Sequence, residues 1–227
     1  MDAHQRADAL QSYADETATC ERCALAAGRT QVVFGSGDPD AEIVFVGEAP
    51  GFHEDQQGLP FVGQAGQLLD RLLAGIGLAR DDVYVVNVLK CRPPGNRDPL
   101  AEEIAACEPH LFRQIELVQP RVVATLGNFA TKLLSGKPHG ITRVHGQEQE
   151  VTLGTSRVLL YPLYHPAAAL YTPSMLAVLE QDFARLLDLL GQPVAPAAEA
   201  APTASDGIVE HVGPVEREAE TVQLGLF

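Results

Sequence analysis

Apolar, β-branched-rich runs recur four times along the chain, at Glu42–Val46, Val83–Val88, Val122–Leu126 and Val158–Leu163. They lack strict alternation, which is the pattern of strands covered on both faces. Between them the apolar positions shift to helical spacing. Ala65, Leu68, Leu69, Leu72, Leu73 and Ile76 fall on one helical face, and Ile104, Cys107, Leu111, Ile115 and Val118 on a second. Leu179, Phe183, Leu186, Leu187 and Leu190 make a third. Strands alternating with helices predict a three-layer α/β/α sandwich around a mainly parallel four-stranded sheet. The pattern stops near Gly191, where QPVAPAAEAAPTASDG has nothing to build a core. The chain is thus expected to comprise a domain over 1–190, a disordered Pro/Ala-rich acidic linker over 191–222 and a short terminal peptide over 223–227.

The residues at the strand ends are unusual. Gly47-Glu48-Ala49-Pro50-Gly51 follows the first run, Asn87 closes the second, Gly127-Asn128 follows the third and His165-Pro166 the fourth. Ligands of open α/β sheets bind in the crevice outside the carboxyl ends of the strands. Four separate segments are therefore expected to meet over one pocket.

Charge narrows the possible partners. The net charge is −14, and up to residue 190 there are 15 basic against 24 acidic residues. An acidic body can still bind nucleic acid, but only through a local positive face. The N-terminal segment is broken by charges throughout and no apolar run is long enough to cross a bilayer, so the expected location is the cytoplasm.

Four cysteines add candidate chemistry. Cys20 and Cys23 form a C-x2-C pair after an N-terminal helical stretch, and fifteen residues separate Cys91 from Cys107. In a reducing compartment such a set suggests a metal or cluster site rather than disulfides. Zinc and an iron–sulfur cluster both suit four thiolates. Cys107 lies on the apolar stripe of its helix, so the site is expected to tie the N-terminal segment to the body.

The order GEAPGFHED, GLPFVGQAGQLLD, NVLKCRPPGNRDP, C-x15-C and HPAA resembles the family 4 uracil-DNA glycosylases, iron–sulfur members of the uracil-DNA glycosylase superfamily. The likeness runs from about Cys20 to Leu190. It implies a [4Fe–4S] cluster on Cys20, Cys23, Cys91 and Cys107, and hydrolysis of the uracil–deoxyribose bond without a covalent intermediate. It further implies that Phe61 stacks on the extruded base, that Asn87 reads its N3 and O4 edge and that His165 donates to O2. By the same resemblance the turn of Gly47, Pro50 and Gly51 lets backbone approach the base, with Gly47 and Ala49 among the expected substrate-binding residues. Glu48 either positions water or steadies the sugar cation, and Glu54 walls off the thymine methyl. DNA contact is expected from Lys90, Arg92 and Arg97, with Asn96, Lys132, Lys137, Arg143 and His145 nearby. Leu170 or Tyr171 is the expected wedge into the duplex. Asp55 is read as a solvated acid.

The terminal QLGLF resembles the short peptide by which bacterial proteins dock on the DNA polymerase sliding clamp, through Gln223, Leu224, Leu226 and Phe227. The reading is thus a monomeric base-excision-repair glycosylase. A broader deaminated-base glycosylase and a non-catalytic iron–sulfur module that binds damaged DNA are the alternatives.

Overall fold

The computed structural model describes residues 1–191. All but the first residue of the expected linker, and the whole terminal peptide, lie outside that range. The elements that build the body are α1 (Ala3–Thr17), β1 (Ser36–Gly37), β2 (Ile43–Gly47), α2 (Phe52–Gln57), α3 (Gln64–Gly75) and β3 (Tyr84–Asn87). They continue with α4 (Ala101–Val118), β4 (Val122–Leu126), α5 (Asn128–Ser135), α6 (Ile141–Val144), β5 (Gln149–Leu153), β6 (Ser156–Leu163), α7 (Ala167–Tyr171) and α8 (Ser174–Gly191).

The sheet has six strands in the order β1-β3-β2-β4-β6-β5, not the four expected. β3, β2, β4 and β6 are mutually parallel. The two strands absent from the expectation are antiparallel edges, β1 against β3 and β5 against β6. β1 is only two residues long. β5 reads Gln-Glu-Val-Thr-Leu and is half-exposed along most of its length, so it lacks the continuous apolar run of a central strand. A two-residue turn at Gly154 and Thr155 joins it to β6, with Gly154 in the left-handed region at φ 60°.

Successive strand residues point to opposite faces, and each face is covered. Val44, Val46, Val86, Val123 and Leu160 pack with Leu10 of α1, Leu111 and Ile115 of α4, and Leu134 of α5. Ile43, Phe45, Val85, Ala124 and Tyr161 pack on the other side with Leu69 and Leu73 of α3 and Phe183 of α8. The Phe45 and Phe183 rings stack there at 5.6 Å. The helical stripes largely coincide with those read from spacing. In α8, however, Leu187 is exposed and Leu189 is buried, so the inner face turns one residue away from the expected one. Among the described residues no helix is long and apolar enough to cross a membrane.

Leu69 has no exposed surface, so Leu69→Ala is expected to lower unfolding free energy by about 3 kcal/mol through lost burial and a cavity. Leu187→Ala is expected to shift it by less than about 0.5 kcal/mol. Denaturant melts of both variants check the assignment of inner and outer positions, and equal shifts would contradict it.

Candidate active site

The parallel register sets Gly47, the last residue of β2, opposite Asn87, the last residue of β3. A Cβ at Gly47 would stand 2.4 Å from Asn87 Oδ1 and 2.6 Å from Phe61 Cζ. The glycine is therefore the floor over which two side chains close. Asn87 is 2% exposed, and its side-chain amide has no protein partner among the described residues. Such a group, buried against a cavity, is left to meet a ligand.

Phe61 reaches this point from a strained turn. Its φ is 56°, in the left-handed region that non-glycine residues rarely occupy. The turn is gripped on both sides. Glu54 Oε1 accepts from the Val62 N–H at 3.0 Å and the Gly63 N–H at 2.9 Å. Arg80 donates to the Pro60 carbonyl and, at 3.4 Å, to that of Phe61, while Asp70 holds the guanidinium at 3.1 Å. A Cβ on Gly66 would lie 1.7 Å from the Phe61 carbonyl oxygen, so only glycine fits there.

Ala49, Glu54, Phe61, Asn87 and His165 line one cavity of about 410 Å³. Phe52, His53, Gln64 and Asn96 complete much of its mouth. The rings of Phe61 and His165 lie 5.6 Å apart and 28° from parallel. His165 Nδ1 accepts from the Ala167 N–H at 3.2 Å, which assigns the proton of the neutral ring to Nε2. Burial pulls the His165 pKa down to about 4, with Glu54 acting in the opposite direction. At neutral pH the ring is thus an uncharged donor. Glu48 lies in the same turn as Ala49 but outside the lining residues. Burial, followed by repulsion from Asp98, pushes its carboxyl up to about 7.

The four cysteines line a second, smaller cavity below. Among the described residues no three His, Cys, Asp or Glu side chains are grouped as ligands of a single metal ion. The donor set nevertheless suits a larger sulfur-ligated group. The Lys90 N–H donates to Cys107 Sγ at 3.3 Å, Arg29 Nη1 lies 3.6 Å from Cys91 Sγ, and His110 Nε2 lies 3.4 Å from Cys20 Sγ. Burial pushes the Cys91 thiol up to about 11 and raises that of Cys107. Four thiols held in protein with N–H groups aimed at sulfur are matched to a cationic iron–sulfur core.

The expected DNA contacts are distributed differently from the sequence reading. Lys90 is 1% exposed and its ammonium donates inward to the Asn87 carbonyl at 2.6 Å, so it is not a phosphate contact. The reason is position: it lies between the end of β3 and Cys91, on chain that turns into the core. Arg97 is exposed but forks onto buried Glu103 at 2.6 and 2.9 Å. Arg92 bonds Asn96 Oδ1 at 2.6 Å and lies 5.1 Å over the exposed Phe52 ring. Leu170 and Tyr171 stand out from α7 just beyond His165, and Tyr171 is 83% exposed. Asp55 is buried, not solvated, and accepts from the Thr30 N–H at 2.9 Å. Arg29 and Arg80 escaped the sequence reading because their partners are mostly backbone carbonyls, which leave no pattern in side-chain type.

Residues 34–190 match the Uracil DNA glycosylase superfamily. The chain is 46% identical to the "Type-4 uracil-DNA glycosylase" of Sulfurisphaera tokodaii over 187 residues, 80% of this chain and 85% of the relative. It is 45% identical to the protein so named in Archaeoglobus fulgidus over 189 residues, 82% and 95% of the two chains. It is 44% identical to that of Thermotoga maritima over 165 residues, 72% and 84%.

The raised Glu48 pKa has a consequence for stability. The folded protein holds this proton more tightly than the unfolded chain does. The carboxyl therefore favours the fold at acid pH, and that contribution is lost as pH rises from the unfolded value of 4.5 to about 7. The stability of Glu48→Gln relative to the parent is expected to climb across that window and level off above it. Melts at stepped pH check this, and a flat difference would contradict it.

Proposed function

The chain belongs to the uracil DNA glycosylase superfamily, and on that premise we propose how its cavity carries out uracil-DNA glycosylase chemistry in DNA repair. The observation that carries the reading is that Phe61, Asn87 and His165, far apart in sequence, line one cavity at the carboxyl ends of parallel strands.

A uracil swung out of the duplex enters the cavity and stacks on Phe61. Asn87 Oδ1 accepts from N3–H and Nδ2 donates to O4. Cytosine presents the reverse pattern, so a fixed amide rejects it. The C1′–N1 bond breaks with its electron pair moving to the base, and His165 Nε2–H donates to O2 as negative charge gathers there. One preorganised donor of this kind is worth about 3 kcal/mol of barrier. Water attacks C1′ and releases a proton to solvent while the departing uracil anion takes one up, leaving free uracil, an abasic site and no covalent enzyme intermediate. Glu48, outside the base-lining residues, suits the sugar side. Ionised, it positions that water or steadies the cationic sugar. Glu54 holds the Phe61 turn, and with its side chain in the lining it walls off the thymine methyl.

Cys20, Cys23, Cys91 and Cys107 hold a [4Fe–4S] cluster in this reading. When bound, the cluster supplies a structural cross-link between the N-terminal segment, the loop after β3 and α4. Arg92, Arg97, Lys132, Lys137 and Arg143 neutralise phosphates, so binding falls as salt rises. Leu170 or Tyr171 fills the space left by the extruded base. One copy lines the whole cavity, so the protein acts as a monomer, and its place is the cytoplasm. The terminal Gln223, Leu224, Leu226 and Phe227 dock on the sliding clamp and raise the local enzyme concentration on newly made DNA.

Oligonucleotides carrying uracil, hypoxanthine or thymine, treated with enzyme and then alkali, are expected to break at uracil alone. Breaks at hypoxanthine would indicate the broader glycosylase, and none at all a binding module. His165→Ala is expected to slow cleavage about 100- to 1000-fold at unchanged melting temperature. Near-parental activity would overturn its role. Deleting residues 223–227 is expected to abolish binding to purified clamp without slowing cleavage of free oligonucleotide, and unchanged clamp binding would refute the docking.

A further inference from the structure

Lys90 has no place in the chemistry above, yet its side chain occupies a costly position. Burying an ammonium costs several kcal/mol unless its charge and donors are met. Its donor is met by a backbone carbonyl, that of Asn87, and by no carboxylate among the described residues. An unbranched apolar side chain would fill the same space without that cost.

Its bonds run in three directions. The backbone N–H donates to Cys107 Sγ at 3.3 Å, and the next residue along the chain is Cys91. The ammonium turns back three residues and donates to the carbonyl of Asn87 at 2.6 Å. The backbone carbonyl of Lys90 also accepts from the Val33 N–H at 2.8 Å, which fixes the loop from a third side. β3 ends at Asn87, and the Val88 and Leu89 N–H groups bond the carbonyls of Gly47 and Glu48. The peptide after Asn87 is thus held to the neighbouring turn on one side and to Lys90 on the other. Among the described residues the Asn87 side-chain amide has no protein partner of its own, so its aim follows from how that backbone is held.

We propose that Lys90 is a positioning residue that ties the four-cysteine site to the uracil-reading amide, so that the cysteine-bearing loop sets where Asn87 points. The assignment rests on the reading of Asn87 as the residue that recognises uracil. It gives the cysteine site a part in substrate selection that involves no electron transfer.

The test is a double-mutant cycle on cluster-loaded protein. Lys90→Met removes the donor at similar length, and Lys90→Gln retains one. Iron and sulfide content, melting temperature, free-uracil affinity by calorimetry and single-turnover cleavage are measured for each, alone and in an Asn87→Ala background. Single-turnover rates separate recognition and chemistry from product release. Lys90→Met is expected to retain iron and to weaken both uracil binding and cleavage about tenfold, with partial recovery in Lys90→Gln. In the Asn87→Ala background the same change is expected to alter neither by more than about twofold, because contacting residues acting through one another are not additive. Fully additive losses, or loss of iron with parental uracil affinity, would overturn the proposal. So would failure of both variants to fold or load, which assigns Lys90 to the fold alone. Parental uracil binding by Asn87→Ala would instead overturn the reading of Asn87 beneath it.

Discussion

Where β2 ends, the chain carries a hydrogen atom instead of a side chain, and the site is built around that gap. Asn87 Oδ1 and the rim of the Phe61 ring both approach the space a Gly47 methyl group would fill. Sheet register alone puts Asn87 opposite the glycine. Phe61 has to be brought in from the turn that precedes α3, and its backbone adopts a conformation that costs of order 1–3 kcal/mol. That strain persists because the turn is over-determined: a carboxylate holds its amides, a guanidinium its carbonyls, and Gly66 leaves room for the bend. The residues that grip this turn thereby decide where the Phe61 ring lies in the cavity.

The electrostatics follow from the same enclosure. A cationic imidazole would set two N–H groups on the ring, one of them facing the Ala167 N–H that Nδ1 now accepts from. Burial and this bond both favour the neutral ring, with Nε2–H free to act as a donor. The nearby carboxylates divide by environment. Glu54 has one carboxylate oxygen engaged by two backbone amides, whereas the Glu48 carboxyl is half-buried, has no hydrogen-bond partner among the described residues and lies within reach of the Asp98 charge. Two acids of one short motif thus take different work, one holding a loop and the other retaining a proton to near neutrality.

Much of this could be read in the chain, and the omissions have physical causes. The central strands were legible because burial on both faces demands unbroken apolar runs. β1 and β5 were not, one being two residues long and the other polar and half-exposed at the sheet edge. Leu187 and Leu189 exchanged roles because α8 packs along only part of its circumference. Phe61, Asn87 and His165 stood out by their places at turns and strand ends and by motif. Lys90 misled because residue type argued for the surface while its position between β3 and Cys91 dictated burial. Arg80 left no signal at all, since the carbonyls it grips belong to Pro60 and Phe61, about twenty residues away in sequence.

In the proposed function one cavity, closed over Gly47 by three distant loops, grips an extruded uracil. A crystal structure of the protein with free uracil tests it most directly. The base is expected against the Phe61 ring, with N3 and O4 on the Asn87 amide and O2 within hydrogen-bond reach of His165 Nε2. Uracil bound elsewhere, or in this cavity with its polar edge turned away from Asn87, would contradict it.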